Sequence, residues 1–277
     1  MVDSITTSAV VQTNLLALQR AAAIRGESAQ RLSTGLEVQR ATDDPSAFFQ
    51  AQALTDRVSG LFEAKDNIGQ ALSAVEGALD GVEALDDISQ QLRGIALAAR
   101  GGSSESREAA AAQFDALRDQ LGHLARDVNY LGTNLVQGAP DSLTVSLNET
   151  GSSEVTIEGA ESDANGLGIG DALASYNNFA SDADIENALN DLSAATSSLR
   201  STASSFGSDV ALLGIREDFA SNLGATLEAG AAKLVNADLE EEAARQLSSQ
   251  VRQDLSTFSL RIAAQSSQQL VQTLFAS

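Results

Sequence analysis

Residues 32–49 read LSTGLEVQRATDDPSAFF, and this stretch decides how the chain is built because it breaks a helical pattern that begins near the N-terminus. Upstream, from Val11, apolar or small residues fall at Leu15, Leu18, Ala22, Ala29, Leu32 and Leu36, a three-and-four alternation broken at Arg25. That spacing predicts a helix with a narrow apolar stripe, the kind that packs on another helix. Pro45 disfavours the α conformation at Asp44, and Asp43 or Asp44 can cap a following helix. Pro45 itself suits the first helical position, where the N–H it lacks would find no partner anyway. Residues 34–46 therefore read as an irregular connector between helices, with Leu36, Val38 and Ala41 still to be packed.

Working outward, Ile68, Leu72, Val75, Leu79, Val82, Leu85, Ile88, Leu92 and Ile95 stand in near-heptad order and stop at Gly101-Gly102. Phe114, Leu117, Leu121, Leu124, Val128 and Leu131 continue the three-and-four series, so these two helices should fold back as an antiparallel hairpin. Over 142–158 the period changes to two. Leu143, Val145 and Leu147, then Val155 and Ile157, alternate with polar residues on either side of the turn NETGSS, which predicts a β-hairpin. The glycine-rich NGLGIGD at 165–171 lacks the strand and spacing of a dinucleotide-binding turn and reads as a connecting loop. From Asp182 the helical period returns through Ile185, Leu189, Leu192, Leu199, Phe206, Val210 and Leu213. A last helix, starting near Asn236, carries Leu247, Val251, Leu255, Phe258, Ile262, Leu270 and Leu274. The expected fold is mainly α: a long antiparallel bundle or coiled coil with the chain termini paired, plus a small β-hairpin in the middle of the chain.

Composition narrows the function. The 277 residues include 4 % aromatics, no Trp and no Cys, which disfavours a densely packed enzyme core and excludes disulfides. A formal net charge of -21 repels polyanions, so neither nucleic acid nor an anionic membrane is an expected partner. No segment approaches the roughly 18 consecutive apolar residues of a membrane span. The N-terminal segment lacks the basic n-region of a secretory signal peptide, so an exported chain would use a route that reads no cleaved signal. His123 is the only histidine and falls off the apolar stripe, facing solvent. The acidic clusters at Asp43-Asp44, Asp86-Asp87 and Glu240–Glu242 lack calcium-loop spacing; the last suits the positive end of a helix dipole. No catalytic, cofactor-binding or metal-binding residues are expected. A hydrolase on this scaffold would be supported by a catalytic insertion with a histidine or by a metal-ligand cluster, and the sequence shows neither.

Two apolar-striped, polar-flanked helices at opposite ends of one chain have too little core when alone. In a polymer they would bury their stripes against neighbours, and a head-to-tail contact that does not close builds a helical filament.

With these features in place, QTNLLALQRA at 12–21, LSTGLEVQRATDDPSAFFQAQAL at 32–54 and ADLEEEAARQLSSQVRQDLSTFSLRIAAQSSQQLVQTLF at 237–275 resemble bacterial flagellins. The resemblance covers nearly all the chain outside about residues 140–180 and corresponds to a short flagellin without large outer domains. It implies a non-enzymatic filament subunit serving motility. Residues 1–42 and 236–277 would form the inner coiled coil, and 43–180 and 181–235 the two parts of an outer domain. The implied polymerisation interface comprises Leu15, Leu18, Leu32, Leu36, Leu247, Val251, Leu255, Phe258, Ile262, Leu270 and Leu274. Gly35, Asp43, Asp44 and Pro45 resemble the spoke that leaves the inner helix. Implied partners are other copies of the chain and further flagellins, an export chaperone, and cap and hook-junction proteins. The implied location is the extracellular flagellum, reached by type III export. A hook-filament junction protein is the alternative within the superfamily. Flagellins bound by the vertebrate surface receptor carry an Arg-Glu-Leu-Ala-type segment, whereas QQLRGIALAA at 90–99 keeps Arg93 but has Gly94 in place of the Glu.

Overall fold

The computed structural model describes the backbone of residues 2–275 and the side chains of residues 9, 11–266, 268 and 269. Five helices and one two-stranded sheet follow in the order α1 Val2–Thr34, α2 Pro45–Ala99, α3 Ser104–Asp127, β1 Ser142–Ser146, β2 Glu154–Glu158, a 3-10 turn Asn177–Phe179, α4 Asp182–Val235 and α5 Leu239–Phe275. The chain is mainly helical, with its N- and C-terminal helices packed on each other. It divides into two compact units. One comprises the chain up to Thr55 together with the chain from Leu227; the other is Asp56–Thr226. The first unit thus takes in the start of α2 and the end of α4, beyond the connector boundaries.

In the Asp56–Thr226 unit the apolar series read from sequence form the core or pack against it, except that Leu131, expected on the same helix as Phe114, lies past the end of α3 with φ of 50° and is 80 % exposed. Ile68, Val75, Val82, Leu85 and Leu92 of α2, Phe114 and Leu121 of α3, and Ile185, Leu192, Leu199, Phe206 and Leu213 of α4 are all buried together. Helix α3 begins after Ser103, whose side chain accepts the N–H of Ser106 as an N-cap. Val128, just past α3, lies against Gly81 of α2, which places these helices antiparallel. β1 and β2 pair antiparallel with Leu143 opposite Ile157 and Val145 opposite Val155. Their Val145 and Ile157 side chains enter the core while the neighbouring Ser, Thr and Glu residues face away from it. The hairpin turn leans on α2 at Gly60, where an added Cβ would come within 2.8 Å of Glu149 Cβ. There the Arg57 guanidinium meets the Glu149 carboxylate at 3.0 Å.

The segment before α4 is less regular. Asn177, Asn178 and Phe179 have φ of 44°, 54° and 57°, three successive left-handed residues without a glycine. Such a conformation strains an L-residue and survives only where its surroundings hold it. Here Phe179 is buried edge-on to Phe114 with centroids 5.4 Å apart, and the Asn178 N–H donates to the Ala172 carbonyl at 2.7 Å. Arg107 clamps the same place, donating to the Phe179 and Ala180 carbonyls at 3.4 and 3.2 Å and pairing with Asp182.

Candidate assembly surface

Among the described helix pairs, α1 and α5 are the two whose backbones approach most closely. Small side chains allow this approach. Ala21 and Ser28 of α1 and Ser249 of α5 are buried, and Leu18, Leu32, Gln246, Gln253, Ser256 and Leu260 are half-buried around them. On α5 the sequence Glu242, Gln246, Ser249, Gln253, Ser256, Leu260 advances by three and four, which is the seam of a coiled coil written mostly in polar residues. Arg25 adds a cross-helix bond from Nη1 to Gln253 Oε1 at 3.1 Å. The helices run antiparallel, since the end of α1 meets the start of α5.

The apolar stripe of α5 lies on a different face. Leu247, Val251, Leu255, Phe258 and Ile262 are 50–65 % exposed. On α1, Leu15 is exposed with its neighbours Val11 and Leu16, while Leu18, Leu32 and Leu36 are half-buried. Leu270 and Leu274 lie outside the described side chains. The intramolecular pairing of the two ends therefore leaves the largest α5 side chains in water. Sequence reasoning found the stripe because it is apolar; the seam beside it carries little hydropathy signal and was missed.

At the base of the pair stands an ionic cluster. Arg31 Nη1 meets Glu242 Oε1 at 2.9 Å, with Glu27 at 2.9 Å and Glu37 at 3.7 Å from the same guanidinium. Arg245 meets Glu242 at 3.1 Å and Glu241 at 2.6 Å. Glu242 is only 4 % exposed. The Ser28 hydroxyl is the largest influence on its carboxyl, and with the guanidiniums of Arg31 and Arg245 it outweighs desolvation, holding the group below the usual carboxylate range. Asp238 caps α5 by accepting the N–H groups of Glu240 and Glu241 at 3.0 and 3.1 Å, and Glu240–Glu242 occupy the first turn, where acidic charge suits the helix dipole.

The connectors meet as well. Gly35 takes φ of 74°, a left-handed C-cap that turns the chain out of α1, and its N–H donates to the Arg31 carbonyl at 2.7 Å. Glu37 and Val38 N–H groups both donate to the Val235 carbonyl, and Ala237 N–H donates to Gly35, forming a short antiparallel bridge around Leu36 and Asn236. Asp43 Oδ2 accepts the N–H groups of Gln39 and Arg40. Desolvation alone would raise the Asp43 carboxyl, but these two bonds and the Arg40 charge hold it low. Asp44 caps α2 by accepting the Ala47 N–H at 3.0 Å, with Pro45 as the first helical residue. In the other unit, Arg93 is exposed on α2 and donates to Ser193 Oγ at 2.9 Å, and Gly94 has open space where a Cβ would stand. His123 is exposed and lies 2.8 Å from Arg126 Nη2 through its Nδ1.

A mainly helical chain that pairs its two ends and turns apolar side chains outward has the make-up of a structural subunit. Residues 5–141 match the family described as the bacterial flagellin N-terminal helical region. Similar proteins include flagellin FljK of Caulobacter vibrioides, 27 % identical and aligned over 87 % of this chain and 88 % of its own. A flagellin of Brucella melitensis biotype 1 is 27 % identical over 88 % of this chain and 90 % of its own. The crystal structure of Bacillus cereus flagellin aligns at TM-score 0.48 and 17 % identity over 58 % of this chain and 94 % of that one. The chain belongs to the bacterial flagellin family, a family of structural proteins of the flagellar filament.

Proposed function

We propose that this chain is a filament subunit proper, polymerising to serve swimming motility, rather than a hook-filament junction protein. The C-terminal segments LEEEAARQLSSQ and QSSQQLVQTLF, which look more like filament flagellins, favour the filament over the junction, and the observation that carries polymerisation is the exposed α5 stripe of Leu247, Val251, Leu255, Phe258 and Ile262. These side chains gain most by burial, at roughly 25 cal/mol per Å² of apolar surface, and the α1–α5 seam leaves them free for another copy. On this reading, 1–42 and 236–277 form the inner coil and 43–180 with 181–235 the outer domain. Gly35, Asp43, Asp44 and Pro45 act as the spoke, and Leu15, Leu18, Leu32 and Leu36 share in the inner contacts. Leu270 and Leu274 belong to the same proposed set.

Export follows the flagellar type III route to the extracellular flagellum, with a chaperone before transit and cap and junction proteins at the sites of assembly. Antibody to residues 140–180, imaged on intact flagella by electron microscopy, tests the assignment. Label along the whole filament supports it, and label confined to a collar beside the hook assigns the chain to the junction instead. Gly94 also deprives any receptor of a carboxylate next to Arg93, so recognition by the vertebrate flagellin receptor is expected to be poor. An affinity equal to that of a strongly stimulating flagellin would contradict this.

A further inference from the structure

We propose that Leu131 is an assembly contact: its side chain is held out in water by the lone subunit and is buried against a second copy of this chain in the polymer. On the filament reading, which this role presupposes, it adds a contact in the Asp56–Thr226 unit to that of the α5 stripe. The turn that carries Leu131 has a reason in the fold. Tyr130 and Thr133 exchange both backbone N–H···O bonds, at 2.9 and 3.0 Å, and Leu131 and Gly132 between them have φ of 50° and 94°. Two central residues with positive φ make a type I′ turn, which suits Asn, Asp or Gly at the first of them. Asn129 Oδ1 steadies it by accepting the Gly132 N–H at 2.9 Å, and the chain leaves it to bury Asn134, Leu135 and Val136. The leucine has no such reason. The left-handed conformation strains it, and at 80 % exposure it is the most exposed large apolar residue among those described. The left-handed residues Asn177–Phe179 differ, because the buried Phe179 accounts for them.

Charge points to a second copy as the occupant. The Asp56–Thr226 unit holds 27 acidic and 9 basic side chains, so two copies repel wherever acid meets acid. Leu131 and Tyr130 help line a groove between α2 and β1 whose other walls are amide, hydroxyl and aliphatic groups, among them Asn67, Gln70 and Leu143. Glu154 is the one charged residue among the described residues that line it. The groove between α2 and α4, by contrast, presents Glu83, Asp86 and Asp87 against Arg200. A cationic partner finds its match at that second groove; a partner as acidic as this chain approaches the first at least electrostatic cost. There an apolar side chain gains from the contact what its strain costs the lone subunit. An open polymer joins different faces of successive copies, so Leu131 meets a surface other than its own groove.

Stability and assembly are read in the same variant. Leu131→Asn suits the turn and removes the apolar side chain. The urea midpoint of the soluble chain should move up, while the critical concentration for growth on short seeds of unsubstituted polymer rises about tenfold, the effect of one leucine left out of a contact. Leu131→Met keeps both the strain and the apolar bulk and should assemble as the unsubstituted chain does. A lower midpoint in Leu131→Asn would mean that the leucine serves the subunit's own fold, and an unchanged critical concentration that no copy receives it; either overturns the proposal. Benzoylphenylalanine in place of Leu131, photolysed in flagella assembled on the cell, identifies the occupant. A cross-link to a second copy supports the contact, and a cross-link to any other protein instead, or none, overturns it. If the unsubstituted chain forms no polymer, the filament reading fails and the contact with it, whereas normal polymer from the unsubstituted chain and from Leu131→Asn alike sinks the contact alone.

Discussion

Phe258 is a large aromatic side chain standing in water on a helix whose other face already has a partner. Under the filament reading it becomes buried between copies, so Phe258→Asp would place an unpaired carboxylate in a dry contact at a penalty of several kcal/mol per subunit. The expected outcome is loss of sedimenting polymer with the circular dichroism of soluble chains unchanged, since the α1–α5 seam does not include Phe258. Tyr176 is its opposite, a buried aromatic whose hydroxyl donates to Asp191 at 2.8 Å and accepts the Gly170 N–H at 3.0 Å. Burial first, and then the bond to Asp191, push its phenol well above the usual tyrosine range. Below about pH 10 both folded and unfolded chains keep this proton and it has no effect on stability. Above that, the unfolded chain releases the proton and the folded one retains it, so stability falls as pH rises. Thermal unfolding followed between about pH 9 and 12 should show this alkaline loss, and Tyr176→Phe should flatten it.

Among elements, the connector between α1 and α2 was the most legible, because its signals are local. Asp44, Pro45 and Gly35 each act on backbone geometry within a few residues. The β-hairpin was legible for the same reason, since alternation over five residues suffices to show one face. The left-handed turn Asn177–Phe179 was not, because no glycine marks it and its cause is distant: the pocket for Phe179 beside Phe114 and the clamp of Arg107. Asn178→Gly should therefore raise stability by about 1 kcal/mol, by relieving positive-φ strain, and urea unfolding midpoints would register it. The α1–α5 seam was hidden by chemistry instead of distance. Its Ser and Gln residues look like any solvated face, and hydropathy directs attention to the stripe one step around the helix.

At the scale of the whole molecule the charge is unevenly shared. Residues 56–226 hold 27 acidic and 9 basic side chains, whereas the unit that contains both termini holds 11 and 8. The terminal unit is thus close to neutral, and the other carries nearly all of the -21. Copies brought together in a polymer repel one another chiefly through the acidic unit, and salt shortens the reach of that repulsion from about 30 Å at 0.01 M to about 8 Å at 0.15 M. The critical concentration for polymerisation should fall across that range. An unchanged value would mean that the acidic units do not approach within a screening length.

The seam between the first and last helices has a bearing on the life of a chain outside the polymer. Fastenings made of leucine are hard to undo because opening them bares oily surface. Here, serine, glutamine and alanine supply much of the join, and they are as content beside water as beside each other. Separating the two ends would add little to the sticky area that the chain already shows. What opening would newly bare is mostly serine and glutamine, with Leu18, Leu32 and Leu260 adding to the stripe that already faces water.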